Sequence, residues 1–134
     1  MIGDVIDILQ THTQLVSDVG ASNIFPIQRK QGTTLPCVVV DMTNIRTSET
    51  KDESSNIDFI SIVVMTMADD PRTTNVLANY ARAALDKFRG TIKGNTSDIW
   101  FVDMEMDIDP ADETFITVSE YTVAHDRTGV QPHT

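Results

Sequence analysis

The stretch DMEMDID at 103–109 places four carboxylates within seven residues, alternating with methionine and isoleucine. Carboxylates at this density can hold a cation, act as general acid and base, or form the wetted face of a strand. On a strand, Asp103, Glu105 and Asp107 share one face, about 7 Å apart along the chain. That spacing is too wide for neighbouring carboxylates to reach one calcium ion at about 2.3–2.6 Å. We therefore predict no metal site on this strand.

Other patterns for cation, nucleotide or acyl chemistry are also missing from the sequence. Counted from Asp103, the glycine position of an EF-hand loop holds Ile108 and the closing glutamate position holds Thr114. The sequence has no phosphate-binding glycine loop, no dinucleotide fingerprint and no serine-nucleophile motif. We predict no cofactor and no enzymatic activity.

The histidines and the cysteine form no recognisable site. His12, His125 and His133 lie far apart, and none has the H-x-x-x-H spacing of a zinc site. His125 can approach a carboxylate, but serine, histidine and aspartate are common enough for a chance triad. Cys37, the single cysteine, lies in LPCVVV without an activating base, so we interpret it as a buried structural thiol.

Size and charge limit the kinds of partner. A chain of 134 residues suits one domain with its own hydrophobic core. Its net charge of −10 repels nucleic acid and favours solubility. No apolar run approaches the roughly 18 residues of a membrane helix, and Asp4 and Asp7 occupy the place of a basic signal-peptide region. We predict no membrane contact and no specific DNA binding.

Two helices are predicted from apolar periodicity. Apolar residues recur near the helical period over 2–19, which predicts one helix there. The second helix has Asp70 as its N-cap and Pro71 in its first position. Its apolar stripe continues to Phe88, and Gly90 lies just beyond the predicted end.

Four strands are predicted, at 37–45, 57–67, 99–108 and 114–126, with a short extended piece at Ile24-Phe25. The second strand is apolar on both faces, which indicates a central position in a sheet. The sequence thus predicts an α+β fold: a mainly antiparallel four-stranded sheet with two helices on one face and a long polar hairpin loop. Residues 1–127 are predicted to form a single domain and 128–134 a flexible tail.

The predicted core combines the helical stripes with strand alternation. On the third strand, alternation places Trp100 and Val102 in the core, followed by Met104, Met106 and Ile108. The full predicted core is Ile6, Leu9, Val39, Phe59, Val63, Leu77, Tyr80, Ala81, Leu85, Trp100, Val102, Met104, Val118 and Tyr121.

The polar segment 46–56 joins the first two long strands and has no large apolar side chain. Such a segment cannot bury enough surface to order itself. It is either a tolerated insertion, since long loops cost little closure entropy, or an arm that contacts another protein. In the second case the contacting residues are Arg46, Glu49, Lys51, Asp52 and Glu53.

Three pieces of the sequence carry a family likeness: IFP after the first helix, GTTLP before an apolar strand, and a strand that ends in ADDPRTTNVLANYARAAL. With them, the chain resembles the small tail-completion or tail-terminator proteins of long-tailed bacteriophages. The resemblance spans roughly residues 3–127. The chain departs from the usual pattern in the length of its polar 46–56 loop.

The resemblance implies a non-enzymatic virion protein of the tail or neck, assembled in the host cytoplasm. Its implied partners are copies of itself in a homo-hexameric ring, the tail tube protein and the head–neck connector protein. DNA would pass through the ring without specific binding, and Asp103, Glu105 and Asp107 would either line the lumen or form ordinary solvated surface. The alternative is a small soluble α+β binding domain or enzyme that uses residues 103–109 to hold a cation or cationic ligand.

Overall fold

The computed structural model describes residues 2–20, 23–27, 34–47, 57–92, 95–109 and 113–126. Within these ranges the chain forms three helices and a six-stranded sheet. The helices are α1 (Ile2–Gln10), α2 (Thr13–Val19) and α3 (Pro71–Leu85). The strands are β1 (Ile24–Pro26), β2 (Cys37–Thr47), β3 (Ile57–Ala68), β4 (Phe88–Ile92), β5 (Asn95–Asp109) and β6 (Thr114–Asp126).

The strands lie in the order β1-β2-β3-β6-β5-β4. β1 runs parallel to β2, and all other neighbouring strands are antiparallel. The helices pack against one side of the sheet, which we call the helix face. Its core contains alternate residues of the central strands, such as Val40, Ile62, Val64 and Tyr121. The opposite side is called the open face below.

The segment 2–19 was predicted to form one continuous helix, but it forms two helices, α1 and α2. His12 has extended backbone angles (φ −82°, ψ 109°), and its Nδ1 accepts the N–H of Leu15 at 3.2 Å. The histidine is therefore the N-cap of α2, and it satisfies an amide that a helix start leaves without a partner. Gly20 ends α2 at φ 90°, a conformation that favours glycine.

The start of α3 was predicted correctly, but its end was not. Asp70 Oδ1 accepts the N–H of Thr73 at 2.9 Å, and Pro71 occupies the first helical position. The helix ends at Leu85 instead of continuing to Phe88. Asp86 leaves the helix and accepts the N–H of Phe101 at 3.0 Å, which ties this exit to β5.

The predicted α+β class is correct, and so is the mainly antiparallel sheet with helices on one face. The sheet has six strands rather than four, and there are three helices rather than two. Part of the difference is a hairpin in which 88–92 pairs with 95–99. Gly90 therefore lies within a strand, and β5 begins at Asn95, before the predicted start of this strand at 99. Residues 128–134, the predicted tail, lie outside the described residues.

Half of the predicted core is fully buried and part of it is not. The buried members are Ile6, Leu9, Val39, Leu77, Ala81, Leu85 and Tyr121. The half-buried members are Phe59, Val63, Tyr80, Met104 and Val118. On β3 the helices cover Ile60, Ile62 and Val64, the opposite parity to Phe59 and Val63. Both faces of β3 are apolar, so alternation alone could not choose the face that the helices cover.

Candidate assembly surfaces

The acidic row of β5, which consists of Asp103, Glu105 and Asp107, lies on the open face. These residues pair with Glu120, Val118 and Ile116 of β6, the residues of β6 that face away from the helices. All three acidic residues are exposed. The predicted strand with one wetted acidic face is therefore present. Whether this face lines a lumen depends on an assembly, so that part stays a prediction.

Two apolar residues of the same strand that were predicted to be in the core are exposed, which corrects the predicted alternation. Trp100 is 40% exposed and Val102 is 46% exposed. Phe101 pairs with Tyr121 and Asp103 with Glu120, so Val102 is the extra residue of a β-bulge. The bulge shifts the parity of the strand. Before it, Ile99 and not Trp100 faces the helices.

After the bulge, the apolar residues of β5 lie on the helix side, where Met104 is half-buried and the next two are about half exposed. Met106 is 51% exposed and Ile108 is 49% exposed. They pair with Thr117 and Phe115, close to the edge of the sheet. α3 packs mainly against β3 and β6, and these two side chains of β5 remain exposed. Exposed apolar side chains on an outer strand are typical of a surface that contacts another chain.

A shallow hollow lies in the open face beside the acidic row. Its lining includes Val63 and Val118, together with the carboxylates of Asp103, Glu105 and Glu120. Among the described residues, no group of three or more histidine, cysteine, aspartate or glutamate side chains could hold a metal ion. The cation-binding alternative therefore gains no geometry from the described part of the chain.

Of the polar segment 46–56, the structure describes residues 46 and 47, and the description resumes at Ile57 in β3. β2 and β3 form the predicted hairpin, and their ladder continues to the pair Thr47 and Asp58. Arg46 lies on β2, where its Cα is paired with that of Phe59. Glu49, Lys51, Asp52 and Glu53 lie outside the described residues. The four contact assignments there stay predictions.

Three aspartates on the outer strands β2 and β5 accept hydrogen bonds from the backbone, which the sequence analysis did not predict. Each carboxylate accepts the backbone N–H of the next residue. Asp103 bonds the N–H of Met104 at 2.7 Å, and Asp107 bonds that of Ile108 at 2.8 Å. Asp41 of β2 bonds the N–H of Met42 at 2.8 Å. These bonds satisfy donors that a strand partner would otherwise accept. The recurring Asp-Met and Asp-Ile steps were the available signal.

Two of the histidines, His12 and His125, have structural partners, and His133 lies outside the described residues. His125 is buried, and its Nδ1 lies 2.7 Å from Ser97 Oγ across the β5–β6 ladder. Asp58 pairs with His125 on β3, so serine, histidine and aspartate lie in one row across the sheet. Ser97 is 1% exposed, and a nucleophile needs access for its substrate. We interpret the serine–histidine pair as a link between strands. His12, the cap of α2, also stacks on Tyr80 at 5.6 Å.

Two buried hydroxyl groups, Ser119 Oγ and Tyr121 Oη, lie two residues apart on the helix side of β6, and neither has a partner at hydrogen-bonding distance and angle among the described residues. Burial raises the pKa of Tyr121 well above its ordinary value.

The Tyr121 ring packs against the Phe101 ring in an edge-to-face contact, with 5.7 Å between the ring centroids. Arg82 in turn lies 3.8 Å above the Phe101 ring. This stack joins α3 to β5 and β6.

No helix in the described ranges is long and apolar enough to cross a membrane. No protein-family model matches the sequence, and no curated protein matches it. The fold is similar to that of a chain in the solved structure "Virion of native gene transfer agent (GTA) particle". The TM-score is 0.74, the sequence identity is 12%, and the match covers 93% of each chain.

Proposed function

We propose that this chain is a non-enzymatic structural protein of a phage-like virion, located in the tail or neck. In this role it forms a ring, taken to be hexameric, that caps the tail tube, ends its growth and joins it to the head–neck connector. The observation that supports the proposal is the fold match with a virion chain, which extends over nearly the whole of both chains.

The surface chemistry is compatible with this role. Exposed apolar side chains lie along β5 beside an acidic row, while the described residues contain no cluster for a metal. Asp103, Glu105 and Asp107 are proposed to line the lumen. Negative charge there would keep DNA from binding the wall as it passes.

Deleting the coding sequence from the genome that carries it tests the role. We expect negative-stain images of the resulting lysate to show filled heads separated from tails, with tails of irregular length. Supplying the protein from a plasmid should restore joined particles. Normal, joined virions in the deletion strain would contradict the proposal.

A purified protein can separate the proposal from the cation-binding alternative. Thermal unfolding should be unaffected by millimolar calcium, magnesium or manganese, because a ligand that does not bind the folded state cannot stabilise it. A clear rise in the melting temperature with one of these ions would favour the alternative.

A further inference from the structure

The sheet has two outer sides that are only partly paired. β1 pairs with β2 at 38–40, and β4 pairs with β5 at 95–99. Beyond these segments, no strand of the described residues pairs with the outer side of either β2 or β5. We call 41–47 the β2 edge and 102–108 the β5 edge. An unpaired edge of this length is a template for a strand of another chain.

We propose that the β5 edge of one copy pairs antiparallel with the β2 edge of a second copy. Repeated head to tail, this contact joins the sheets of successive copies into a ring. A contact between two different surfaces of one chain closes into a ring when its rotation allows. The inference deepens the proposed function and rests on it.

The direction of pairing follows from the strand order. β2, β3, β6 and β5 are successive antiparallel neighbours, so β2 and β5 run in opposite directions within one copy. Within one copy the ladder places Ile45 level with Ile99, so the β2 edge of the next copy reaches the β5 edge only when the strands are inclined to the ring axis, as in a barrel. In such a ring β5 lies beside the next β2 in the antiparallel sense. Antiparallel pairs are the more stable kind.

The short strands β1 and β4 exclude a parallel contact between the β5 edge and the β2 edge. β1 covers the first half of β2, and β4 covers the first part of β5. In an antiparallel contact these two strands lie beyond opposite ends of the junction. In a parallel contact they would occupy the same place, so the two edges could not approach each other.

The exposed apolar side chains of the two edges lie on the same face. Ile45 of the β2 edge pairs with Ile60, a helix-face residue, and is 52% exposed. Met106 and Ile108 of the β5 edge are also on the helix side. In one continuous sheet these side chains become neighbours, and their contact removes apolar surface from water.

The two-residue period then determines what lies opposite Arg46. When Ile45 is opposite Met104, Met106 or Ile108, position 46 is opposite the acidic residue that precedes it. Those acidic residues are Asp103, Glu105 and Asp107. Every such register therefore places the backbone of position 46 opposite that of an acidic residue of β5. A β5–β5 contact would instead bring two acidic rows together, which is unfavourable.

The aspartate bonds explain how both edges remain unpaired in the free chain. Asp41 occupies a donor of the β2 edge, while Asp103 and Asp107 occupy donors of the β5 edge. A carboxylate on a side chain can rotate away and release the N–H to a carbonyl of the neighbouring copy. The edges are thus blocked against stray strands but remain able to pair.

Cross-linking between single-cysteine additions tests this contact. Ile45→Cys is purified separately from Met104→Cys, Met106→Cys and Ile108→Cys, and each mixture is oxidised. Directly opposed strand residues lie close enough for a disulfide. Cys37 is buried, so the unmodified protein gives the background. The matched control replaces Ile45→Cys by Val76→Cys, a partly exposed position on α3.

We expect one mixture with Ile45→Cys to give at least about tenfold more covalent dimer than its Val76→Cys control, a preference of about 1.4 kcal/mol. Each β5 variant alone should give little dimer. Equal cross-linking in the control, dominant β5–β5 dimers, or no dimer in any mixture would each overturn the proposed contact.

Images of the particles distinguish failure of the proposed strand contact from failure of the proposed function. If the deletion gives unjoined tails but the cross-links are absent, the proposed function stands and the contact is elsewhere. If the deletion gives normal virions, the proposed function fails whatever the cross-links show.

Discussion

At the residue scale, the charged carboxylate of Asp70 stabilises the start of α3. Hydrogen bonds from the Thr73 hydroxyl and from its N–H hold the pKa of Asp70 below its ordinary 3.8. Since the folded-state pKa is lowered, this stabilisation is present above the ordinary pKa and is lost as pH falls through the folded value. The carboxylate also complements the positive end of the α3 dipole.

Replacing Asp70 by alanine is therefore expected to lower the melting temperature at neutral pH and to matter less as pH falls through the folded-state pKa of Asp70. Thermal unfolding followed by circular dichroism over this range measures the effect. Asp69→Ala is the matched control, because Asp69 is exposed next to the cap. Equal losses for the two variants would contradict a capping role.

The buried hydroxyl of Tyr121 leads to a second prediction. Removing a buried group without a partner relieves a desolvation cost, so Tyr121→Phe should keep or raise stability, by up to about 1 kcal/mol. Chemical unfolding measures this difference. A loss greater than about 1 kcal/mol would show that the hydroxyl has a partner, such as the neighbouring Ser119 hydroxyl or a buried water molecule.

At the element scale, the corrected positions of α3 and β5 predict contrasting mutations. Leu85 is fully buried at the end of α3, whereas Val102 is the exposed bulge residue. Leu85→Ala should cost about 2–5 kcal/mol of unfolding free energy, and Val102→Ala about 0.5 kcal/mol or less. Denaturant unfolding compares them. A loss below about 0.5 kcal/mol for Leu85→Ala would contradict the packing of α3.

The acidic row of β5 is predicted to bind no divalent ion tightly. Its neighbouring carboxylates are spaced along a strand and exposed to solvent, so a shared ligand set is not formed. Titration calorimetry with calcium, magnesium and manganese should show no saturable site. One-site binding that is abolished in the double variant Asp103→Asn with Glu105→Gln would show the opposite.

At the scale of the whole molecule, the segment 46–56 tests whether assembly depends on the hairpin end. Residues 47–55 can be replaced by a short glycine-containing turn, because β2 and β3 already pair up to this point. We expect the shortened protein to keep its unfolding temperature but to fail in restoring joined virions. Restoration at the wild-type yield would identify the segment as a tolerated insertion.

Much of the secondary structure followed from local patterns. Asp70-Pro71 and the apolar stripe predict α3 because capping and burial act within one helix. The long strands β2, β3 and β6 were predicted for the same local reason, from runs of β-branched residues. The β4–β5 hairpin was missed because 93–98 is polar, and its pairing depends on the neighbouring sheet.

The sequence by itself determined the α+β class, the acidic solvated face of β5 and the hairpin that carries the polar segment. These depend on period, charge and composition, which are properties of short stretches. Only the tertiary structure decided which side of β3 the helices cover, because both sides are apolar. It also decided the exposure of Trp100 and Val102, since one extra residue at the bulge reverses the parity of a strand.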